Sequence, residues 1–176
     1  GAGGTLAYTE NDGLKVIDAN LTITDVDDTN ISSATITISS GFQLSEDVLA
    51  FTNSNGITGS WNSSTGVLTL SGSATKAKYE LALESVTYNN TLDSPNTTDR
   101  TISWLINDGT DNSTAVTSTI SLTAVNDAPL GKDGVISLLE DEVYSFELSD
   151  FPLNDPDGPE DTLTNIKLVD MPDRGH

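Results

Sequence analysis

Ala124-Val125-Asn126-Asp127-Ala128-Pro129 reads as a joint between two folded modules. The run before it, Ser113 to Ala124, alternates as a strand does, and the Gly-rich Leu130 to Gly134 after it leads into renewed alternation. Pro129 fixes its own φ, removes a backbone donor and disfavours helix at Ala128, so the chain crosses this point extended. Asn126 and Asp127 place side-chain oxygens there. Outward from the joint the acids repeat: Asp25 and Asp27 follow Glu10 by 15 and 17 residues, as Asp155 and Asp157 follow Glu140. A repeated carboxylate spacing on either side of a stiff joint points to calcium, which takes six to eight oxygens in a tolerant geometry. The expected division is a first module over residues 1–127 and a portion of a second over 128–176.

Composition bounds the partners. With 27 Asp+Glu against 7 Lys+Arg among 176 residues, the formal net charge is −20, which opposes nucleic-acid phosphates and anionic lipid. There are no cysteines, so no disulfide braces the fold. No stretch is long and apolar enough to span a bilayer, and Gly1-Ala2-Gly3-Gly4 lacks the features of a signal peptide, as expected of an interior piece of a longer exported parent.

Short alternating runs dominate the first module. Thr5–Thr9 and Lys15–Asp18 suit a split edge strand around the turn Asn11-Asp12-Gly13. Leu21–Thr24 and Ala34–Ile38 read as strands with Asp25-Val26-Asp27-Asp28 in the loop between them. Residues 47–51, the hairpin framed by Asn55-Gly56 and Ser64-Thr65-Gly66, and the runs 86–88, 100–106 and 115–124 supply the rest. Between Ser73 and Val86 the period changes to three and four, predicting one short amphipathic helix capped by Ser73. The expectation is an all-β antiparallel sandwich with one short helix. After the joint, 135–139, 143–148 and 163–169 read as strands of an incomplete second sandwich. So short a piece buries too little apolar surface to stand alone.

The chain resembles the cadherin-like tandem repeats of very large bacterial surface proteins and adhesins. The residues that carry the likeness are Gly3-Gly4-Thr5-Leu6-Ala7-Tyr8-Thr9-Glu10-Asn11-Asp12, Glu46 to Asn53, Gly66 to Gly72, Tyr79 to Tyr88, Asn107-Asp108-Gly109 and the joint itself. The second segment, opening at Leu139-Glu140-Asp141-Glu142 and including Asp155-Pro156-Asp157-Gly158, is similar to a sister repeat. The resemblance implies Greek-key connectivity, an extracellular or cell-surface location, an adhesion or biofilm setting, and Ca2+ at the junctions. It would draw ligands from Asn126, Asp127, Asp155, Asp157 and Glu10, and less strongly from Asp12, Asp108 and Asp111 at the same end of the first module. Asp25 and Asp27 would serve the junction before the segment, Glu140 and Glu142 the one after it. Asn-Asp-Ala-Pro is shorter than the family's Asp-x-Asn-Asp-Asn-x-Pro linker, and no Asp-Arg-Glu triplet lies in the first module, which favours one or two ions over three. The implied role is an extender or adhesion module whose partners are neighbouring repeats of the same chain.

Other functions find less in the residues. The sole histidine, His176, is terminal and no phosphate-cradling glycine loop is present, so no catalysis is expected. Trp61, beside a Ser/Asn/Gly turn, is the aromatic to test for glycan binding, since Trp104, Tyr79 and Tyr88 sit where core residues belong. A second alternative is a filament subunit completed by a strand from an identical chain. Six Asn-x-Ser/Thr sequons, at Asn20, Asn30, Asn62, Asn89, Asn96 and Asn112, arise readily by chance in a chain so rich in Asn, Ser and Thr and carry no information as sequence alone.

Overall fold

The computed structural model describes residues 1–137, 139, 141–158 and 165–167. The chain divides into two units, Gly1–Val125 and Asn126–His176, so the division falls immediately before Asn126-Asp127-Ala128-Pro129.

The first unit is a β-sandwich. Its strands are β1 (Thr5–Thr9), β2 (Lys15–Val16), β3 (Asn30–Ser40), β4 (Asp47–Ala50), β5 (Thr58–Asn62), β6 (Val67–Thr75), β7 (Thr87–Asn90), β8 (Arg100–Asn107) and β9 (Val116–Thr123), with α1 (Lys76–Glu84) between β6 and β7. One sheet runs β1-β9-β8-β3-β6-β5 and the other β2-β7-β4. Alternation sets which side chains face inward: Ile36, Leu68, Leu70, Ile102, Trp104 and Ile120 from the large sheet meet Leu49 and Tyr88 from the small one. Tyr8 and Tyr88 cross edge to face with ring centroids 4.9 Å apart, joining the two sheets. Tyr79 and Trp104 are buried as expected, and Trp61 is half-buried, packed on the core with its indole N–H out of contact with solvent.

Pairing is antiparallel except for β1 and β9, which run in the same direction from Thr5↔Thr119 to Thr9↔Thr123. The expected antiparallel β-sandwich with one short helix is thus borne out, with this one parallel pair at the edge of the large sheet. The parallel pair fixes two poles. Because β8 is antiparallel to both β3 and β9, the start of β1, the start of β3 and the end of β8 share one pole, and the ends of β1 and β9 share the other. Each outer strand of the large sheet has one amide taken from within the unit: the Gly59 N–H of β5 donates to Asn53 Oδ1 at 2.9 Å, and the Thr9 N–H of β1 to Asp12 Oδ2 at 3.1 Å.

Two local expectations are corrected. Leu21–Thr24 forms no strand, because its amides bond elsewhere: Ile23 N–H donates to Glu80 Oε1 at 2.8 Å and Thr22 N–H to Gly1 O at 3.2 Å. The helix starts at Lys76 rather than after Ser73, since the β3–β6 ladder runs on to Asn30↔Thr75 and holds Ser73 in strand. Tertiary pairing outweighs a weak cap signal here. The three-and-four spacing still places Tyr79, Ala82 and Leu83 on the buried face.

Asp18 ties the opening of the chain to the core. Its buried carboxylate accepts from the Gly4 amide at 2.9 Å, the Gly3 amide at 3.3 Å, the Asn20 amide at 3.0 Å and the Ser118 hydroxyl at 2.8 Å. Ser118 Oγ in turn accepts the Trp104 indole N–H at 3.0 Å. Burial raises the pKa of Asp18, but the bonds from Gly4, Ser118, Asn20 and Gly3 together outweigh it and hold the carboxyl below its ordinary value. A depressed folded-state pKa means that the stabilisation is present above the unfolded value of about 3.9 and is lost as pH falls through the folded one. Asp18→Asn is therefore expected to cost about 1–3 kcal/mol at neutral pH and to flatten the acid limb of the stability curve in urea melts between acid and neutral pH. An acid limb identical to that of the parent chain would refute the assignment.

In the second unit the described residues hold one two-residue ladder, β10 (Leu130–Gly131) with β11 (Leu153–Asn154), and a 3-10 turn at Leu148–Asp150. The strands expected at 135–139 and 143–148 do not form among the described residues. Val135 and Val143 are 93% and 95% exposed, so those runs lack the apolar partners that would offset the entropy of ordering them. The run 163–169 lies mostly outside the described residues, and its described stretch, 165–167, carries no strand.

Candidate metal centre

The pole at which β1, β3 and β9 begin gathers carboxylates from two loops. Ser33 pairs with Asn107, so the loop ahead of β3 lies beside the loop after β8. As a result Asp25, Asp28 and Asp108 each offer a carboxylate oxygen within 4.8 Å of the others. Oxygens ligating one calcium at about 2.3–2.6 Å lie no more than about 5.2 Å apart, so a single ion is able to touch all three.

The loops are prefolded around these side chains. Asp25 Oδ1 accepts from the amides of Asp28 at 2.9 Å and Asp27 at 3.2 Å, and Asp108 Oδ1 from those of Thr110 at 2.6 Å and Asp111 at 2.8 Å. Each Asp thus commits one oxygen to its own turn. The Asp28 amide bond leads the causes that lower the pKa of Asp25. Asp28 goes the other way: desolvation, then the charges of Asp108, Asp25 and Asp27, raise its pKa. Such mutual repulsion is what a bound divalent cation relieves. Lys76 Nζ donates to the Asp25 carbonyl oxygen at 2.6 Å and supplies one positive charge nearby. A cavity of about 130 Å³ opens beside the cluster, lined by Asp25, Asp108, Asp111 and Asn112 among others.

The expected ligands divide as follows. Asp25 and Asp108 come together, which moves Asp108 and Asp111 to the pole of Asp25 and away from Glu10, beside which the resemblance would set them. Asp27 stays outside the group and its neighbour Asp28 stands in its place. Glu10 follows β1 at the opposite pole, with its amide on Thr123 O at 3.0 Å; its carboxyl is buried and Oε2 finds no hydrogen-bond partner among the described residues. Asp12 is engaged by Thr9 N–H and by Lys15 Nζ, 3.7 Å away.

In the second unit, the Asp127 amide donates to Asp157 Oδ2 at 2.5 Å and the Asp157 amide to Asp155 Oδ1 at 3.0 Å, so these acids share one small turn system. One carboxylate oxygen of Asp127 and one of Asp157 lie within 4.8 Å of each other. Asp155 Oδ2 is buried with no hydrogen-bond partner among the described residues, an acceptor able to take a cation. Asn126 Nδ2 donates to Asp127 O at 2.8 Å, and Glu142 Oε2 accepts the Leu139 amide at 3.2 Å. Glu140 lies outside the described residues.

Sequence reasoning missed Asp28, which the run Asp25-Val26-Asp27-Asp28 offered as a further acid of the same loop; Asp25 Oδ1 closes that turn on the amides of Asp27 and Asp28, and the Asp28 carboxylate joins the group.

Comparison with known proteins gives one partial likeness. The chain is 46% identical over 86 residues to halomucin of Haloquadratum walsbyi, a large surface protein; the match takes 46% of this chain and 1% of halomucin. No family model matches the chain. No solved structure matches it. Among the described residues no helix is long and apolar enough to cross a membrane.

Proposed function

We propose that the chain is a structural module of a large exported surface protein, bound by Ca2+ at the poles of its sandwich and thereby stiffened against its neighbours in the same polypeptide. The observation that carries this reading is the convergence of Asp25, Asp28 and Asp108 from separate loops at one pole. The raised pKa of Asp28, caused by desolvation and then by the charges of Asp108, Asp25 and Asp27, expresses a concentration of negative charge, with Lys76 close by. The second unit repeats the chemistry with Asp127, Asp155 and Asp157, and the likeness to halomucin supports a surface setting. The role is mechanical, not catalytic, and the partners are neighbouring repeats. Adhesion, where it occurs, belongs to the parent as a whole.

Extracellular calcium modules bind at about 10⁻⁴–10⁻³ M. Addition of ~10 mM CaCl₂ is then expected to stabilise the first unit by about 1.4–2.7 kcal/mol per site through mass action, measured as a rise in Tm that EDTA reverses. Asp108→Asn removes most of that rise while leaving the calcium-free Tm unchanged or higher, because it relieves repulsion. NaCl at equal ionic strength is the control, since screening alone also relieves repulsion. A rise matched by NaCl, or retained in full by Asp108→Asn, would sink the assignment.

A further inference from the structure

We infer that Asn62 is an acceptor for an N-linked glycan delivered from a lipid-phosphate-linked oligosaccharide, an inference that rests on the reading of the chain as a segment of an exported protein. The six sequons, equivalent as sequence, are not equivalent in the fold. Asn30 opens β3, paired with Thr75 of β6, and Asn89 lies within β7, paired with Val48 of β4, with Asn89 Oδ1 also accepting the Tyr8 hydroxyl at 3.2 Å. Asn89, inside its strand, cannot enter an enzyme groove without opening the small sheet. Asn96 is held by its backbone, its amide on Glu46 Oε2 at 3.1 Å and its carbonyl on Arg100 Nη1 at 2.6 Å.

Asn62 stands at the exposed tip of the β5–β6 hairpin, the last residue of an edge strand, and Ser63, Ser64 and Thr65 beyond it are exposed. Its Oδ1 accepts both the Ser64 amide at 3.0 Å and the Ser64 hydroxyl at 2.7 Å. A backbone N–H only donates, so the atom facing it is the carbonyl oxygen, and Nδ2 is turned outward with both protons available. The two sequon residues that a transferase must read are thus held together on one protruding turn. In the transfer, Nδ2 bonds to the anomeric carbon of the donor sugar. The bond from that carbon to the lipid phosphate oxygen breaks, the phosphate leaves with the electron pair, and one Nδ2 proton passes to a base of the transferase. A bulky hydrophilic group at this position extends from the sheet edge into solvent and meets no packed surface.

The test is expression of the chain with an appended export signal in an archaeal host that N-glycosylates its exported proteins, followed by intact-mass measurement and peptide mapping. The host's own surface glycoprotein serves as the control for transfer. The expected result is a glycan on the Asn62 peptide, absent from both Asn62→Gln and Ser64→Ala and retained in Asn89→Gln. An unmodified Asn62 in folded, secreted protein, or a glycan at Asn30 or Asn89 in its place, overturns the inference. Export is imposed by the added signal, so a negative result speaks against the acceptor and leaves the surface reading to the calcium experiment.

Discussion

Arg100→Met is expected to lower the stability of the sandwich by about 3–5 kcal/mol, the cost of leaving a buried charge without its partner. Arg100 has no solvent exposure, and every N–H of its guanidinium has an acceptor within reach. Nε lies 3.1 Å from both oxygens of Asp47, Nη2 reaches Asp47 Oδ1 at 3.1 Å and Glu46 Oε2 at 3.3 Å, and Nη1 donates to the carbonyls of Asn96 and Thr98. Asp47 also accepts the Tyr88 hydroxyl at 2.6 Å and the Gln43 amide at 2.7 Å, and burial with that tyrosine bond pushes the Tyr88 pKa well up. One side chain thereby fastens the loop ahead of β8, the turn ahead of β4 and the centre of the small sheet. Against a total of about 5–15 kcal/mol for a domain, losing it leaves a marginal fold. The double variant Arg100→Met/Asp47→Leu should recover some of the loss, because removing both charges removes the desolvation penalty as well. Urea denaturation of the two singles and the double measures the coupling; a single-variant loss below about 1 kcal/mol, typical of exposed pairs, would show that the network does not bind the loops.

Gly72→Ala is the second large effect. Gly72 has φ of +135°, and a Cβ there would lie 2.3 Å from the carbonyl oxygen of Gly56, a backbone atom in the neighbouring turn. Its own carbonyl accepts the Tyr79 hydroxyl at 2.8 Å, so the strand cannot shift without disturbing the helix. Unfavourable φ and overpacking together cost roughly 2–4 kcal/mol. Gly13→Ala is the internal control: φ is +73° but a Cβ meets nothing within 4 Å, so only the dihedral cost of roughly 1–2 kcal/mol applies. Equal losses in the two variants, read from thermal melts, would show that the contact with Gly56 is without consequence.

Long alternating runs were legible because their burial has period two: β3, β6, β8 and β9 stand where the apolar residues predict them. Leu21–Thr24 has the same pattern and is no strand, since alternation reports burial on one side and says nothing of who takes the amides. The helix was legible in type and misplaced at its start, where a ladder competed with a cap. In the site, Asp25 and Asp108 were named, but their meeting depends on the β3–β8 register, which no spacing along the chain encodes. Arg100 went unremarked as the anchor of the core, although it and Arg174 are the only arginines in a chain with 27 acids, and an isolated arginine opening an apolar strand is a signal of burial with partners.

The parallel pairing of β1 with β9 bears on how the sandwich carries load. The polypeptide enters β1 at one pole and leaves β9 at the other, with five residue pairs bridging the two strands between those points. Tension drawn along the backbone therefore slides the strands past each other lengthwise and strains the whole row of bonds at once, whereas strands pulled from a common end unzip bond by bond. In the proposed role, that arrangement would oppose extension through the first and last strands of the sandwich, as a link suits a cable under drag.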